Sequence, residues 1–215
     1  MHTVLSRHLL PLLFLLLSAC TALQPKPEQT SVPAAIHQQH LASLERIKSF
    51  QIQGRIGVQT NPRGFSGSMR WQHEASRDQI QLFSPLGSQV AQIQTTDSGV
   101  ELITDDGKHY EAADAAALTQ QTLGWSLPMR GLPDWVLGRP SAGIIAKQAW
   151  DAQGRLILLQ QDGWNIEYTE YIETEGVQLP SRISLKSPKV NLKLIIERWT
   201  LAPQNIQATK PRASS

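Results

Sequence analysis

The stretch Phe50-Gln51-Ile52-Gln53-Gly54-Arg55-Ile56-Gly57-Val58-Gln59 alternates apolar and polar residues with period two. Ile52, Ile56 and Val58 share one face, while Gln51, Gln53, Arg55 and Gln59 share the other, the pattern of a half-buried antiparallel strand. The same phase returns downstream in Phe65, Met69 and Trp71, in Ile80 and Leu82, and in Val100 and Leu102. Turn signals at Asn61-Pro62 and Asp105-Asp106-Gly107 separate these runs, so a meander of hairpins is the simplest topology. Upstream, Leu41, Leu44 and Ile47 recur three apart within Ile36 to Lys48, which predicts a helix packed on the first strand. Alternation breaks at Glu111 to Leu123, an Ala-rich helical stretch closed by Gly124, and again at a short helix, Pro133 to Leu137, with Gly138 past its end. Strands resume at Gln148 to Asp151, Arg155 to Gln161, Trp164 to Tyr171, Arg182 to Lys186 and Asn191 to Leu201. The class is mostly β with α. One antiparallel sheet of this size must curl or close, leaving an apolar concave face that the mid-chain helices can cover and, with it, a cavity.

The rest of the chain frames that domain. Leu9 to Leu17 is an apolar run preceded by Arg7 and followed by small residues and Cys20, the only cysteine. It is too short and too soon interrupted to span a membrane and has the layout of a secretory signal. Leu17-Ser18-Ala19-Cys20 resembles the bacterial lipobox, which implies diacylglyceryl attachment to the Cys20 thiol, removal of residues 1–19 and acylation of the new amine. Thr21, rather than an Asp, implies sorting to the outer membrane. The alternative is an ordinary secretory signal, which leaves a lone thiol in an exported chain without a partner. Residues 20–35 read as a Pro-rich tether, 36–202 as the domain, and 203–215 as a polar, disordered tail.

Charge is nearly balanced, with 20 Lys and Arg against 18 Asp and Glu. No basic cluster suggests nucleic acid. Six Trp against four Phe and three Tyr supply wide apolar surfaces. The sequence offers no support for an enzyme, a cofactor or a metal. There is no Gly-x-Ser-x-Gly elbow, and Gly64-Phe65-Ser66-Gly67 breaks that spacing. His37 and His40 lack a third ligand and read as a solvated helix face, His73-Glu74 lacks the second histidine of a zinc peptidase, and Asp105-Asp106 is turn chemistry. An anchored hydrolase would have to rely on Ser66 and His73.

In Ser84-Pro85-Leu86-Gly87, Ser, Pro and Gly occupy positions favoured in a type I turn, which leaves Leu86 at its third position and projecting. Burying its side chain would gain about 1.5–3 kcal/mol, so it seeks either the core or something outside.

Several motifs taken together are identified as those of the LolB family of outer-membrane lipoprotein receptors: Cys20, Gly54-Arg55-Ile56, Trp71, Ser84-Pro85-Leu86-Gly87-Ser88, Leu132-Pro133-Asp134-Trp135-Val136-Leu137-Gly138-Arg139-Pro140, Gly163-Trp164 and Leu179-Pro180. The similarity runs from about Ile36 to Leu201. It implies a curled antiparallel half-barrel covered by helices, whose cavity takes the acyl chains of client lipoproteins from a periplasmic carrier of the LolA type. The receptor then passes them to the inner leaflet of the outer membrane, facing the periplasm. Leu86 maps onto the leucine that this family uses for membrane insertion. The expected cavity wall is Ile56, Val58, Met69, Trp71, Ile80, Leu82, Leu102, Trp135, Leu137, Trp164, Ile166 and Leu194, each in the apolar phase of its strand or of the covering helix. Plain core is the competing reading for every one of them. The expected state is a monomer. A lipid- or peptide-binding envelope lipoprotein without transfer activity is the alternative function.

Overall fold

A computed structural model describes residues 34–61, 64–75, 77–96, 98–123 and 129–201. Residues 1–19, Cys20, the tether as far as Pro33 and the tail lie outside them, whereas Ala34 and Ala35, expected in the tether, open the first helix. The described residues belong to one compact unit. Its elements run α1 (Ala34–Glu45), β1 (Ser49–Thr60), β2 (Gly64–Glu74), β3 (Arg77–Phe83), β4 (Gln89–Thr96), β5 (Gly99–Thr104) and β6 (His109–Ala112). After these come α2 (Ala115–Leu123), α3 (Leu132–Val136), β7 (Ile145–Trp150), β8 (Leu156–Gln161), β9 (Trp164–Thr174), β10 (Val177–Lys186) and β11 (Val190–Thr200).

All the strands belong to one antiparallel sheet in the order β6-β5-β4-β3-β2-β1-β11-β10-β9-β8-β7. The two edges, β6 and β7, do not pair, so the sheet is open. The chain builds six strands outward from β1, crosses by α2 and α3 to the far edge, and returns through β11 to β1. Ile56 opposes Leu194 on one side of β1 and Gly67 on the other. At Gly54 the register with β11 shifts, leaving Glu197 as the extra residue of a bulge. A Cβ on Gly54 would overlap the Ile195 carbonyl oxygen, so only glycine admits β11 so closely there. That accounts for the Gly54-Arg55-Ile56 motif.

The inner face follows the expected phase: Phe50, Ile52 and Val58 of β1 and Met69 and Trp71 of β2 are buried. Three local readings change. Glu111 and Ala112 are strand, because they pair with Glu101 and Val100 of β5. The helix begins only after Asp114, whose Oδ1 accepts the Ala117 N–H at 2.8 Å as an N-cap. β4 has no counterpart in the sequence reading, since Ala91, Ile93 and Thr95 on one phase give too weak an alternation. The face of α1 that carries the histidines is not solvated: His37 is buried, its Nδ1–H donates to Gly154 O at 2.7 Å and its ring stacks on Trp150 at 4.3 Å. The helix sits on the β7–β8 turn there, and the imidazole serves as a flat core group.

Candidate ligand-binding cavity

On the concave face of β1–β5 and β11 the apolar side chains do not meet, and a cavity of ≈ 320 Å³ remains. β1 supplies Ile56, Val58 and Thr60, and β2 supplies Gly64, Phe65, Met69 and Trp71. Ile80 and Leu82 come from β3, Val90, Ala91 and Ile93 from β4, Leu102 and Thr104 from β5, and Leu192 and Leu194 from β11. Thr119 and Thr122 of α2 and Leu132 of α3 complete the lining. Leu102 and Leu194 stand five strand steps apart, roughly 24 Å in a flat sheet. Both line one small cavity, so the sheet bends here.

Among the described residues the wall carries no charged side chain, and its polar side chains besides the Trp71 indole are threonines. Thr119 and Thr122 turn their hydroxyls back onto α2, donating to Ala115 O at 2.7 Å and Leu118 O at 2.8 Å, so they present methyl groups rather than free donors. The Trp71 Nε1–H donates to Asp78 Oδ1 at 2.7 Å, and the same oxygen accepts the His73 Nδ1–H at 2.8 Å. The indole thus satisfies its polar atom outside the cavity and offers it carbon. Such a wall can hold aliphatic chains.

Eight of the twelve expected wall residues line this space: Ile56, Val58, Met69, Trp71, Ile80, Leu82, Leu102 and Leu194. The other four do not. Trp135, Leu137 and Ile166 are buried and Trp164 is half-buried, all on the β7–β10 side. There α3 fills the concavity. The Trp135 Nε1–H donates to Gln161 Oε1 at 2.9 Å, its carbonyl accepts the Tyr168 hydroxyl at 2.9 Å, and its ring lies 6.3 Å from that of Trp164. Arg139 donates to Asp134 Oδ1 at 2.7 Å and to Leu44 O at 2.6 Å, tying the loop after α3 to the end of α1. The Leu132 to Pro140 motif therefore builds a core, with Leu132 alone reaching the cavity. The wall residues that sequence reasoning missed include Ala91, Thr119 and Thr122, whose small side chains hide the pattern, and also larger ones such as Phe65, Ile93, Leu132 and Leu192.

Leu86 is 95% exposed and is not part of any core. The Gly87 N–H donates to Ser84 O at 2.9 Å and the Ser84 N–H to Ser88 O at 2.8 Å, closing a tight turn, and Gly87 takes φ +88°. This is the turn-plus-left-handed-glycine hairpin, and it fixes the leucine at its tip. Ser66 is exposed on β2, an odd number of residues from His73 and thus on the opposite face, roughly 24 Å along the strand. The hydrolase pair is not assembled. Among the described residues no cluster of three potential metal ligands occurs, and no helix is long and apolar enough to cross a membrane.

The family model for outer membrane lipoprotein LolB matches residues 48–199. The outer-membrane lipoprotein LolB of Nitrosomonas europaea is 38% identical over 152 residues, covering 70% of this chain and 72% of that protein. That of an Azoarcus species is 33% identical over 187 residues, covering 86% and 90%. Among solved structures, a LolA superfamily protein from Nitrosomonas europaea aligns with a TM-score of 0.47 at 10% identity, covering 79% of this chain and 94% of that one. With its matched region taking in every strand and the cavity they line, the chain belongs to the LolB family of outer membrane lipoproteins.

Proposed function

We propose that this outer membrane lipoprotein is a receptor that takes lipoproteins from a periplasmic carrier of the LolA type, shelters their acyl chains in the cavity under β1–β5 and β11, and releases them into the inner leaflet of the outer membrane. Its working part is a half-barrel, with α2 and α3 covering the open face. The observation that carries this reading is a cavity whose described lining is apolar apart from threonines, left unfilled in a sheet that also holds a leucine out in solvent. Each buried methylene is worth about 0.8 kcal/mol, so a chain of about 16 carbons approaches 12 kcal/mol against water. Passing through water is therefore prohibitive. Movement from carrier to receptor to bilayer instead requires small differences in affinity between three apolar environments, and needs no nucleotide. Cys20, acylated, keeps the cavity beside its destination, and Leu86 enters the bilayer during release.

The test is to offer a loaded carrier to the mature-length chain bearing Cys20→Ala and then to add phospholipid vesicles. Transfer to the chain and onward to vesicles is expected. With Leu86→Glu, acceptance persists and release falls at least about tenfold, the worth of one buried aliphatic side chain. Retention without onward transfer by the Cys20→Ala protein would instead favour a lipid-holding envelope protein.

A further inference from the structure

Leu86 has a counterpart. Among the described residues one other large aliphatic side chain is almost wholly in solvent, Ile144, at 84% exposed. The register puts both at the same end of the sheet. Ile145 opposes Gln161, next to the Asp162–Gly163 turn; Asn165 opposes Lys186; Lys186 opposes Asn191, and Val190 opposes Thr60 at the end of β1. The β3–β4 turn that carries Leu86 leaves from this end too, as do the cavity's outermost wall residues, Thr60 and Phe65. The two tips thus stand on one rim, Leu86 between the wall strands β3 and β4 and Ile144 beyond the cavity, on the β7 side of β11.

Ile144 is held there from below. The Ser141 N–H donates to Gln161 Oε1 at 3.0 Å and the Gln161 amide donates back to Ser141 O at 2.8 Å, while the same buried Oε1 accepts the Trp135 indole. A Cβ on Gly143 would press on the Asp162 carboxylate, so the segment lies close against the β8–β9 turn. A tip anchored in the core in this way loses little conformational freedom on contact.

We propose that Ile144 is a second membrane contact, which with Leu86 seats the rim of the sheet on the phospholipid bilayer and points the cavity at the acyl layer. The inference rests on the membrane role given to Leu86 above. A bilayer is favoured over a protein partner because the tips are seven strand steps apart, roughly 34 Å before the sheet bends. Polar turns at Asp105–Gly107 and Ser187–Lys189 lie on the same rim, so the described residues form no continuous apolar patch of the kind a stable protein interface needs. Isolated aliphatic tips suit an interfacial layer, and the exposed Lys147 and Lys189 on this rim suit its headgroups.

Because Cys20 is the only cysteine, its acylation leaves an introduced cysteine as the single free thiol. The lipidated full protein is prepared with Leu86→Cys, Ile144→Cys or, at the opposite end of the sheet, Ala152→Cys. Each thiol is labelled with an environment-sensitive fluorophore and placed on phosphatidylethanolamine–phosphatidylglycerol vesicles containing nitroxide lipids. Probes at 86 and 144 should be quenched to a similar degree and the probe at 152 left unquenched. Ile144→Asp should slow cargo release to vesicles roughly tenfold with an unchanged melting temperature. A probe at 144 that behaves like the one at 152 while 86 is quenched, or normal release by Ile144→Asp, overturns this contact and leaves the role of Leu86 standing. Absence of quenching at both 86 and 144 overturns the two together.

Discussion

The two halves of the sheet solve the same packing problem in opposite ways. On the β7–β10 side, α3 drives Trp135 into the concavity, and Gln161, Tyr168 and Ser141 satisfy the polar atoms that come with it. On the β1–β5 side the covering residues are short, Thr119 and Thr122 with Leu132, and ≈ 320 Å³ is left open. Packing forces alone would fill both, since voids forfeit dispersion contacts on every wall. The difference teaches that one half is closed core while the other keeps an apolar space, which the proposed function assigns to acyl chains.

The sharpest way to break this comparison is to empty the filled half. Trp135→Ala should cost about 3–5 kcal/mol, visible as a large shift in the urea midpoint, because it opens a cavity and takes the indole N–H from the buried Gln161 Oε1, which keeps only the Ser141 N–H. Next, Leu82→Asn on the cavity side should leave the urea midpoint within about 1 kcal/mol of wild type, because Leu82 is half-buried and faces open space. It should nevertheless weaken retention of an acylated client about tenfold or more. A collapse of the fold in this variant would move Leu82 to the core. A third pair adds bulk to each side. Ala91→Phe grows into the cavity and should be neutral or slightly stabilising while blocking client uptake, whereas Leu159→Phe has no space and should cost about 1–3 kcal/mol by thermal melting.

The smallest effect concerns how the filled half is latched. His40 on α1 has its pKa lowered from 6.5, first by burial, then by His37 and Arg155, with Asp151 opposing. The unfolded chain therefore takes up that proton more readily than the folded one. The stability involved is full above about pH 6.5 and declines as pH falls below it. Urea midpoints at about pH 7.5 and about pH 5.5 should differ less in His40→Gln than in wild type.

How much of this could be read from sequence follows the same division. Strands with large alternating side chains, such as β1 and β2, show their inner face directly, and eight wall residues follow from that phase alone. Phase does not say whether a buried side chain meets a neighbour or a void. Trp135, Leu137, Trp164 and Ile166 are apolar in the right register, yet they lie in the filled half of the sheet rather than on the cavity. That outcome depends on Trp135 finding Gln161, 26 residues away in the chain. Ala91, Thr119 and Thr122 go unnoticed for the converse reason: a cavity is made where side chains are small, and small side chains leave a faint pattern. The family motif around Trp135 marks the part of the molecule that must not change shape, and the Leu86 turn marks the part that reaches out.

The most direct test is photo-crosslinking. A client lipoprotein whose acyl chains carry a diazirine is loaded from the carrier, irradiated on the receptor, and the adducts are mapped by mass spectrometry. Adducts on Met69, Trp71, Ile80, Leu82, Leu102 and Leu194 are expected, with Leu159 and Ile166 unmarked; adducts concentrated on β8, β9 or α3, or none in the β1–β5 half, would contradict the division of the sheet into a core and a binding cavity.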